Sequence, residues 1–454
     1  NQIIVSTNEV ELLIDKDSAK MELKNSDGET VWKEKESLKY DGNKTIQTLD
    51  TKDDEYFYGG GMQNGYFSHK NRKIEIVNKS TWVNGGVASP TPFYFSTNGY
   101  GVLRHTFQPG EYDFHATATM EHQEDRFDAY YFVEDNSKEV LADFVELTGN
   151  PMFMPKYGFY QGNADCYNLD GETLLGEGID RANQYNKNDM PVGWFLPNDG
   201  YGCGYGQNGY YQKRTSGEDT SRMNEVIDAN VENLRKFTEY AEANGVRTGL
   251  WTQAALTPEA SEQDSHYQGF QTLRDFRKEV NVAGVSALKT DVAWVGYGYS
   301  MALNSVKDGY NISATSGKRP NLVSLDGWAG FQRYAGTWTG DQTGGNWEYI
   351  RFHIPTYIGQ SLAGNPNVGS DVDGIFGGTN LITTRDLQFK TFTPTMLDMD
   401  GWGSIPKKPH ISTDPYKSIN RMYLKLKAQL MPYIYTYAQE AVDGLPMIRA
   451  MFLE

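Results

Sequence analysis

The chain has 454 residues, of which 38% are hydrophobic and 22% charged, with a formal net charge of −17. That length exceeds one ordinary domain, and no apolar run reaches the roughly 18 residues expected of a membrane-spanning helix. Charges of both signs are dispersed with no basic stripe, which argues against a nucleic-acid partner and favours a neutral substrate over a polyanion.

Residues 1–150 read as β structure. Short runs such as Ile3 to Val5, Val10 to Ile14 and Ala19 to Leu23 alternate in part, and turn signals at Asn25-Ser26-Asp27-Gly28 and Asp41-Gly42-Asn43 separate them. Lys73 to Val77, Phe93 to Phe95, Gly101 to Arg104 and Tyr130 to Val133 continue the pattern. Strands at this spacing predict an N-terminal antiparallel β-sandwich. The N-terminus shows no basic-then-apolar leader.

From residue 151 to 454 the period changes. Strand candidates are Gly158 to Gln161, Val192 to Leu196, Thr248 to Thr252, Ala287 to Val292, Leu322 to Leu325, Thr337 to Thr339 and Asn367 to Gly369. Helical segments lie between them. Ile227, Val231, Leu234, Phe237 and Ala241 share one helical face, with Gly245 placed to end that helix. Asp386 to Phe392 and Lys417 to Tyr437 read as later helices, the last interrupted by Pro432. Repeated β-then-α units predict an α/β fold, a (β/α)8 TIM barrel following the sandwich. A doubly wound open sheet is the alternative, but no Gly-rich phosphate loop opens any helix.

Two aspartates stand out. Asp291 closes Leu288-Lys289-Thr290-Asp291, and Asp341 closes Trp338-Thr339-Gly340-Asp341. Barrel enzymes carry catalytic groups at the C-terminal ends of strands, and two carboxylates facing one pocket suit glycoside cleavage. Lys289 and Asp291 lie two apart on one strand, so both face the same side. Asp165 and Asp199, near the ends of early strands, are further candidates, while Trp251 and Trp294 read as packing or pocket wall. The seven histidines are scattered, so no metal site and no cofactor are expected. Cys166 and Cys203 lack metal-site spacing and read as free thiols.

The chain resembles glycoside hydrolase family 31, whose members are retaining α-glycosidases. The resemblance rests on Tyr58-Gly59-Gly60-Gly61, Pro92-Phe93-Tyr94-Phe95, Gly330-Phe331-Gln332-Arg333-Tyr334 leading to Trp338-Thr339-Gly340-Asp341, Gly369-Ser370-Asp371-Val372-Asp373-Gly374, and Gln429-Leu430-Met431-Pro432-Tyr433. It implies that Asp291 is the nucleophile and Asp341 the general acid/base. It also implies that Asp371, Trp338 and Arg333 lie in or beside the sugar pocket, that the partner is a carbohydrate, and that further C-terminal β domains follow in a longer protein.

The chain departs from the family's α-glucosidases at glucose-reading positions. The second-strand stretch reads Val192-Gly193-Trp194-Phe195-Leu196-Pro197-Asn198-Asp199, an apolar residue standing where those enzymes carry the Asp that grips glucose. Ser324-Leu325-Asp326 replaces Ser-Arg-Ser, and Leu397-Asp398-Met399-Asp400-Gly401 replaces an Arg-x-His-Gly segment. Lys289-x-Asp291 looks like the nucleophile strand of related α-galactosidase families, where the Lys binds the sugar. These departures imply a galacto-configured substrate and similarity to the family's α-N-acetylgalactosaminidase branch. The competing reading is an α-glucosidase or an α-glucosyl or isomaltosyl transferase acting on α-glucans. Extracellular glycans as substrates imply a secreted or cell-surface protein of bacterial type. Sequons at Asn43, Asn78 and Asn311 say little about compartment.

Overall fold

The computed structural model describes residues 1–454 apart from 80, 168–170, 200–210, 213–222, 253–255, 258–270, 273, 292–298 and 401. Between Gln2 and Val133, strands form two antiparallel sheets, one of eight strands and one of four. Alternation is clearest in Lys44–Leu49, where Thr45, Gln47 and Leu49 are buried and the residues between them are not. The sheets share an aromatic core: the Tyr94 ring lies 5.8 Å from that of Tyr112 and 5.2 Å from that of Phe114. The strands Thr30–Asp41, Lys44–Leu49, Gly110–Asp113 and Ala118–His122 went unread in the sequence. Lys, Glu and Asp on their outer faces break up the apolar runs.

Eight parallel strands then close into a barrel: Gln161–Ala164, Trp194–Leu196, Arg247–Thr252, Ala287–Thr290, Asn321–Ser324, Gly336–Trp338, Val368–Asp371 and Thr395–Met399. The first pairs with the eighth, Gly162 opposite Leu397. Two expectations need correction here. The first strand starts at Gln161, because Lys156–Phe159 is a 3-10 turn. Its Gln-Gly-Asn-Ala sequence has no strand signature; a Cβ at Gly162 would fall 2.4 Å from the Trp194 ring, so barrel packing dictates the residue. The eighth strand, Thr395–Met399, was not among the strand candidates. It is wholly buried yet carries Asp398, which accepts from Asn163 Nδ2 (2.9 Å) and from the Tyr185 hydroxyl. An acid inside an apolar run reads as a break, and only a partner on another strand makes it tolerable.

The helix Met223–Ala243 buries Ile227, Val231, Leu234, Phe237 and Ala241, the face expected from their spacing. Later helices are Tyr299–Ala314, Trp347–Ser361, Asn380–Lys390, Tyr416–Gln429 and Met431–Glu440. Among the described residues no helix is long and apolar enough to cross a membrane.

The N-terminal sheets reach the barrel mouth through the loop between Lys73–Ile76 and Val87–Ser96 and the start of the latter strand. Asn78 Nδ2 donates to Asp326 Oδ1 (2.8 Å), Asn84 Nδ2 to Glu348 Oε1 (2.9 Å), and Ser89 Oγ to the Leu325 carbonyl (2.7 Å).

Candidate active site

Parallel strands all deliver their carboxyl ends to one face, and there the barrel gathers its acids. Asp291 directly follows strand four, Asp341 comes three residues after strand six, Asp371 ends strand seven, and Asp199 lies three residues beyond strand two. Lys289, in strand four, is buried among them. Its Nζ donates to Asp199 Oδ2 at 2.9 Å and stands 3.9 Å from the centre of the Trp338 ring. Burial disfavours the ammonium, but Asp199 and Asp371, then Asp291, outweigh it and hold the Lys289 pKa above its ordinary value.

Asp291 is buried, and its Oδ2 accepts the Trp251 indole N–H at 3.0 Å. Trp251 is therefore more than the wall the sequence indicated. Asn198 fixes it: Asn198 Oδ1 accepts the Trp251 backbone N–H (2.9 Å), and Asn198 Nδ2 donates to the Trp251 carbonyl (3.1 Å). Burial first, and the negative charge of Asp291 second, push the Asp341 pKa up to about 7, with Lys289 opposing. Asp341 thus keeps its proton near neutrality mainly because it is buried, with the Asp291 charge adding to the effect.

Asp371 is fully buried, and burial raises its pKa while Lys289 and Lys390 oppose the shift. Its Oδ2 accepts the Trp338 indole N–H at 3.1 Å, while its Oδ1 makes no hydrogen bond among the described residues. A buried acceptor without a donor suits a ligand hydroxyl. Asp199 sits higher than an ordinary carboxyl, at about 6, for the same leading reason, burial, with Lys289 opposing.

Asp165 follows strand one at the same end of the barrel, where its carbonyl accepts the Asp199 N–H at 3.2 Å, and its carboxylate joins an ion-pair cluster of its own. Its Oδ1 accepts the Cys166 N–H (2.6 Å) and its Oδ2 accepts from the Tyr167 hydroxyl (2.7 Å) and Lys408 Nζ (2.8 Å), which also pairs with Asp400. Arg333 is a correction. It precedes strand six, so it lies at the end of the barrel opposite Asp341; its Nε donates to the Gly330 carbonyl at 3.0 Å, and its guanidinium stacks on Tyr334. Trp294 lies outside the described residues. The free-thiol expectation is also corrected: Cys166 is disulfide-bonded, and the chain's one other cysteine, Cys203, lies outside the described residues. Distance along the sequence is a poor guide across a parallel barrel, where each strand returns to the same end.

The Trp338 indole serves Asp371, and an aromatic from the N-terminal sheets, Trp82, packs at the Asp341 turn. Gly340 has φ +99°, and a Cβ there would lie 2.2 Å from the Trp82 ring. Trp82, Asn198 and Lys408 carry no local motif that would have marked them.

The model of the "Glycosyl hydrolases family 31 TIM-barrel domain" matches residues 36–437. The chain belongs to glycosyl hydrolase family 31. Alpha-glucosidase 2 of Bacillus thermoamyloliquefaciens is 24% identical over 463 residues, covering 88% of this chain and 57% of that protein. Lysosomal alpha-glucosidase of Mus musculus is 32% identical over 160 residues, 35% of this chain and 16% of that protein. This family 31 chain therefore spans only part of the length of these relatives. Among solved structures, the family 31 dextranase of Flavobacterium johnsoniae complexed with glucose superposes with a TM-score of 0.80 at 17% identity, covering 98% of this chain and 62% of that one. The cycloalternan-forming enzyme from Listeria monocytogenes gives 0.79 at 16% identity, with 98% and 50% coverage. At such identities the superpositions speak for the fold.

Proposed function

We propose that this chain carries the catalytic centre of an exo-acting, retaining α-glycosidase that works by double displacement. The observation that carries the reading is the delivery of Asp291 and Asp341 to the carboxyl-end face of the closed barrel, where burial and the Asp291 charge push the Asp341 pKa up to about 7. In the first step an Asp291 oxygen attacks the anomeric carbon as the glycosidic C–O bond breaks, and Asp341 gives its proton to the departing oxygen. A glycosyl ester on Asp291 results. Asp341, now a carboxylate, takes a proton from water, or from a sugar hydroxyl in a transfer reaction. That oxygen attacks the anomeric carbon and frees Asp291. Trp251 orients the Asp291 carboxylate, and the open Oδ1 of Asp371 receives a sugar hydroxyl.

The relatives' names favour an α-glucosyl substrate: α-glucosidases, a dextranase and a cycloalternan-forming enzyme. A second reading, a galacto-configured sugar such as an α-N-acetylgalactosaminide, is favoured by the buried Lys289–Asp199 pair, which sets an ammonium among the pocket acids. Para-nitrophenyl α-glycosides of glucose, galactose, N-acetylgalactosamine and xylose separate the two. Cleavage of the glucoside alone supports the first, cleavage of the galacto sugars alone the second. Release of the β-anomer as first product, followed by NMR, would overturn retention. A secreted or cell-surface location is supported by the bonded Cys166, since disulfides persist in oxidising compartments; fractionation of the source cells tests it.

A further inference from the structure

Strand three ends in Trp251 and Thr252, and its two edges are held in different ways. On the strand-four side it is paired to its end: Trp251 lies opposite Lys289 and Thr252 opposite Thr290, and the Asp291 N–H donates to the Thr252 carbonyl at 2.9 Å. On the strand-two side the ladder stops at Thr248, opposite Phe195. Trp251 lies past that point, and its buried N–H and carbonyl need partners from elsewhere. Side chains supply them.

Asn198 is one, bonded to both groups. Arg274 is the other: its Nη1 donates to the same Trp251 carbonyl at 3.1 Å. Arg274 stands just before the short helix Phe276–Asn281, and Glu279 within that helix accepts from its Nε at 2.9 Å. The guanidinium also lies 5.4 Å from the centre of the Phe276 ring. Both members of the pair are buried, Arg274 at 1% and Glu279 at 0% exposure. A planar guanidinium directs its N–H groups along fixed lines, so the bond to Glu279 sets the line on which Nη1 meets the carbonyl. An ion pair this deep adds little stability over apolar side chains of the same volume. What it does is fix the backbone from which the Trp251 indole reaches Asp291 Oδ2.

We propose that Arg274, braced by Glu279, is a positioning residue for the nucleophile: it locks the end of strand three, so that the Trp251 indole and the Thr252 carbonyl hold Asp291 in line with the anomeric carbon. The inference rests on the retaining-glycosidase reading, in which an Asp291 oxygen attacks that carbon. Asp291 is tied to strand three twice, by its own N–H and by its side chain. A shift of the strand end therefore moves the attacking oxygen, and misplacing a reacting group by about 1 Å costs on the order of a hundredfold in rate. Asp371, proposed to receive a sugar hydroxyl, belongs to strand seven, so binding is spared.

The test uses the full chain and the para-nitrophenyl α-glycoside that it cleaves, with rates expressed per folded molecule from circular dichroism. Arg274→Lys keeps a cation for Glu279 but lacks the second directed N–H. It should lower kcat about tenfold, with KM within about twofold of wild type. Trp251→Phe removes the indole N–H and should lower kcat at least as far. The double variant should be no slower than Trp251→Phe alone, because Arg274 acts through Trp251; a residue that only supports the fold gives losses that multiply. If Arg274→Lys does not fold, Arg274→Gln combined with Glu279→Gln, which leaves no buried charge, takes its place with the same expected loss. Losses that multiply, a change confined to KM, or an unchanged kcat overturns the positioning role while the glycosidase reading stands. Wild-type chain inert toward every glycoside of the panel overturns that reading, and this inference with it.

Discussion

At Asp341 burial, helped by the Asp291 charge, raises the proton affinity of a carboxyl, which suits the acid role proposed for it. Asp291→Ala should remove turnover by several orders of magnitude, because no covalent ester can form; single-turnover assays check this, and retained activity would remove Asp291 from the chemistry. On the proposed mechanism the pH profile follows from Asp341, which must hold its proton to act as the acid. With a pKa of about 7 in the folded chain, kcat/KM should fall as pH rises through that value. The Lys289 charge lowers that value, so Lys289→Met should move the alkaline limb upward. It should also cost about 3–5 kcal/mol of stability by leaving Asp199 buried without its cation. Linkage gives a separate readout. The Asp341 pKa is raised from 3.8, so the stability it contributes is complete below that pH and is lost as pH rises through about 7. Asp341→Asn should therefore be more stable than wild type at pH about 8, on the order of 1–3 kcal/mol, with the gain shrinking as pH falls and gone only below 3.8. Equal melting curves at both ends of this range would show that the carboxyl is not held in this way.

Among the elements, the turn Thr339-Gly340-Asp341 is tightly constrained. Gly340 takes a φ of +99° and lies against Trp82, an aromatic delivered from the other end of the chain. Gly340→Ala adds a methyl where the indole already sits, in a backbone region that only glycine enters freely. The expected loss is about 1–3 kcal/mol, and, because Asp341 is the next residue, a fall in turnover larger than the fall in the fraction folded. A melting curve and kcat on the same sample separate the two effects. The eighth strand teaches a related lesson. Thr395–Met399 is invisible to a rule that seeks apolar runs, since Asp398 interrupts it, and it is stable because Asn163 and Tyr185 from other elements meet that acid.

For the whole molecule, the N-terminal sheets complete the mouth of the barrel. Asn78, Trp82 and Ser89 cover Asp326, Gly340 and the Leu325 carbonyl. A chain starting at residue 151 would leave those groups uncovered, and we expect it to show no measurable turnover on any substrate the full chain cleaves. The disulfide at Cys166 lies beside Asp165, at the same end of the barrel. Cys166→Ser should lower stability by about 2–4 kcal/mol, and reductant should bring the wild-type melting temperature down toward that of the variant.

Sequence alone determined the class of the molecule: the change of period from two to that of alternating strands and helices, seven of the eight barrel strands to within a few residues, the family, and the two aspartates in their motifs. These are local properties, written in runs of neighbouring residues. Tertiary structure alone decided which of the remaining candidates meet. It paired Lys289 with Asp199, gave Trp338 to Asp371 and Trp251 to Asp291, sent Arg333 to the far end of the barrel, and brought Trp82 to the acid turn. The reason is geometric: a closed parallel barrel places strand ends side by side however far apart they lie in the chain, and a burial-driven rise in proton affinity has no sequence until the fold has excluded the water.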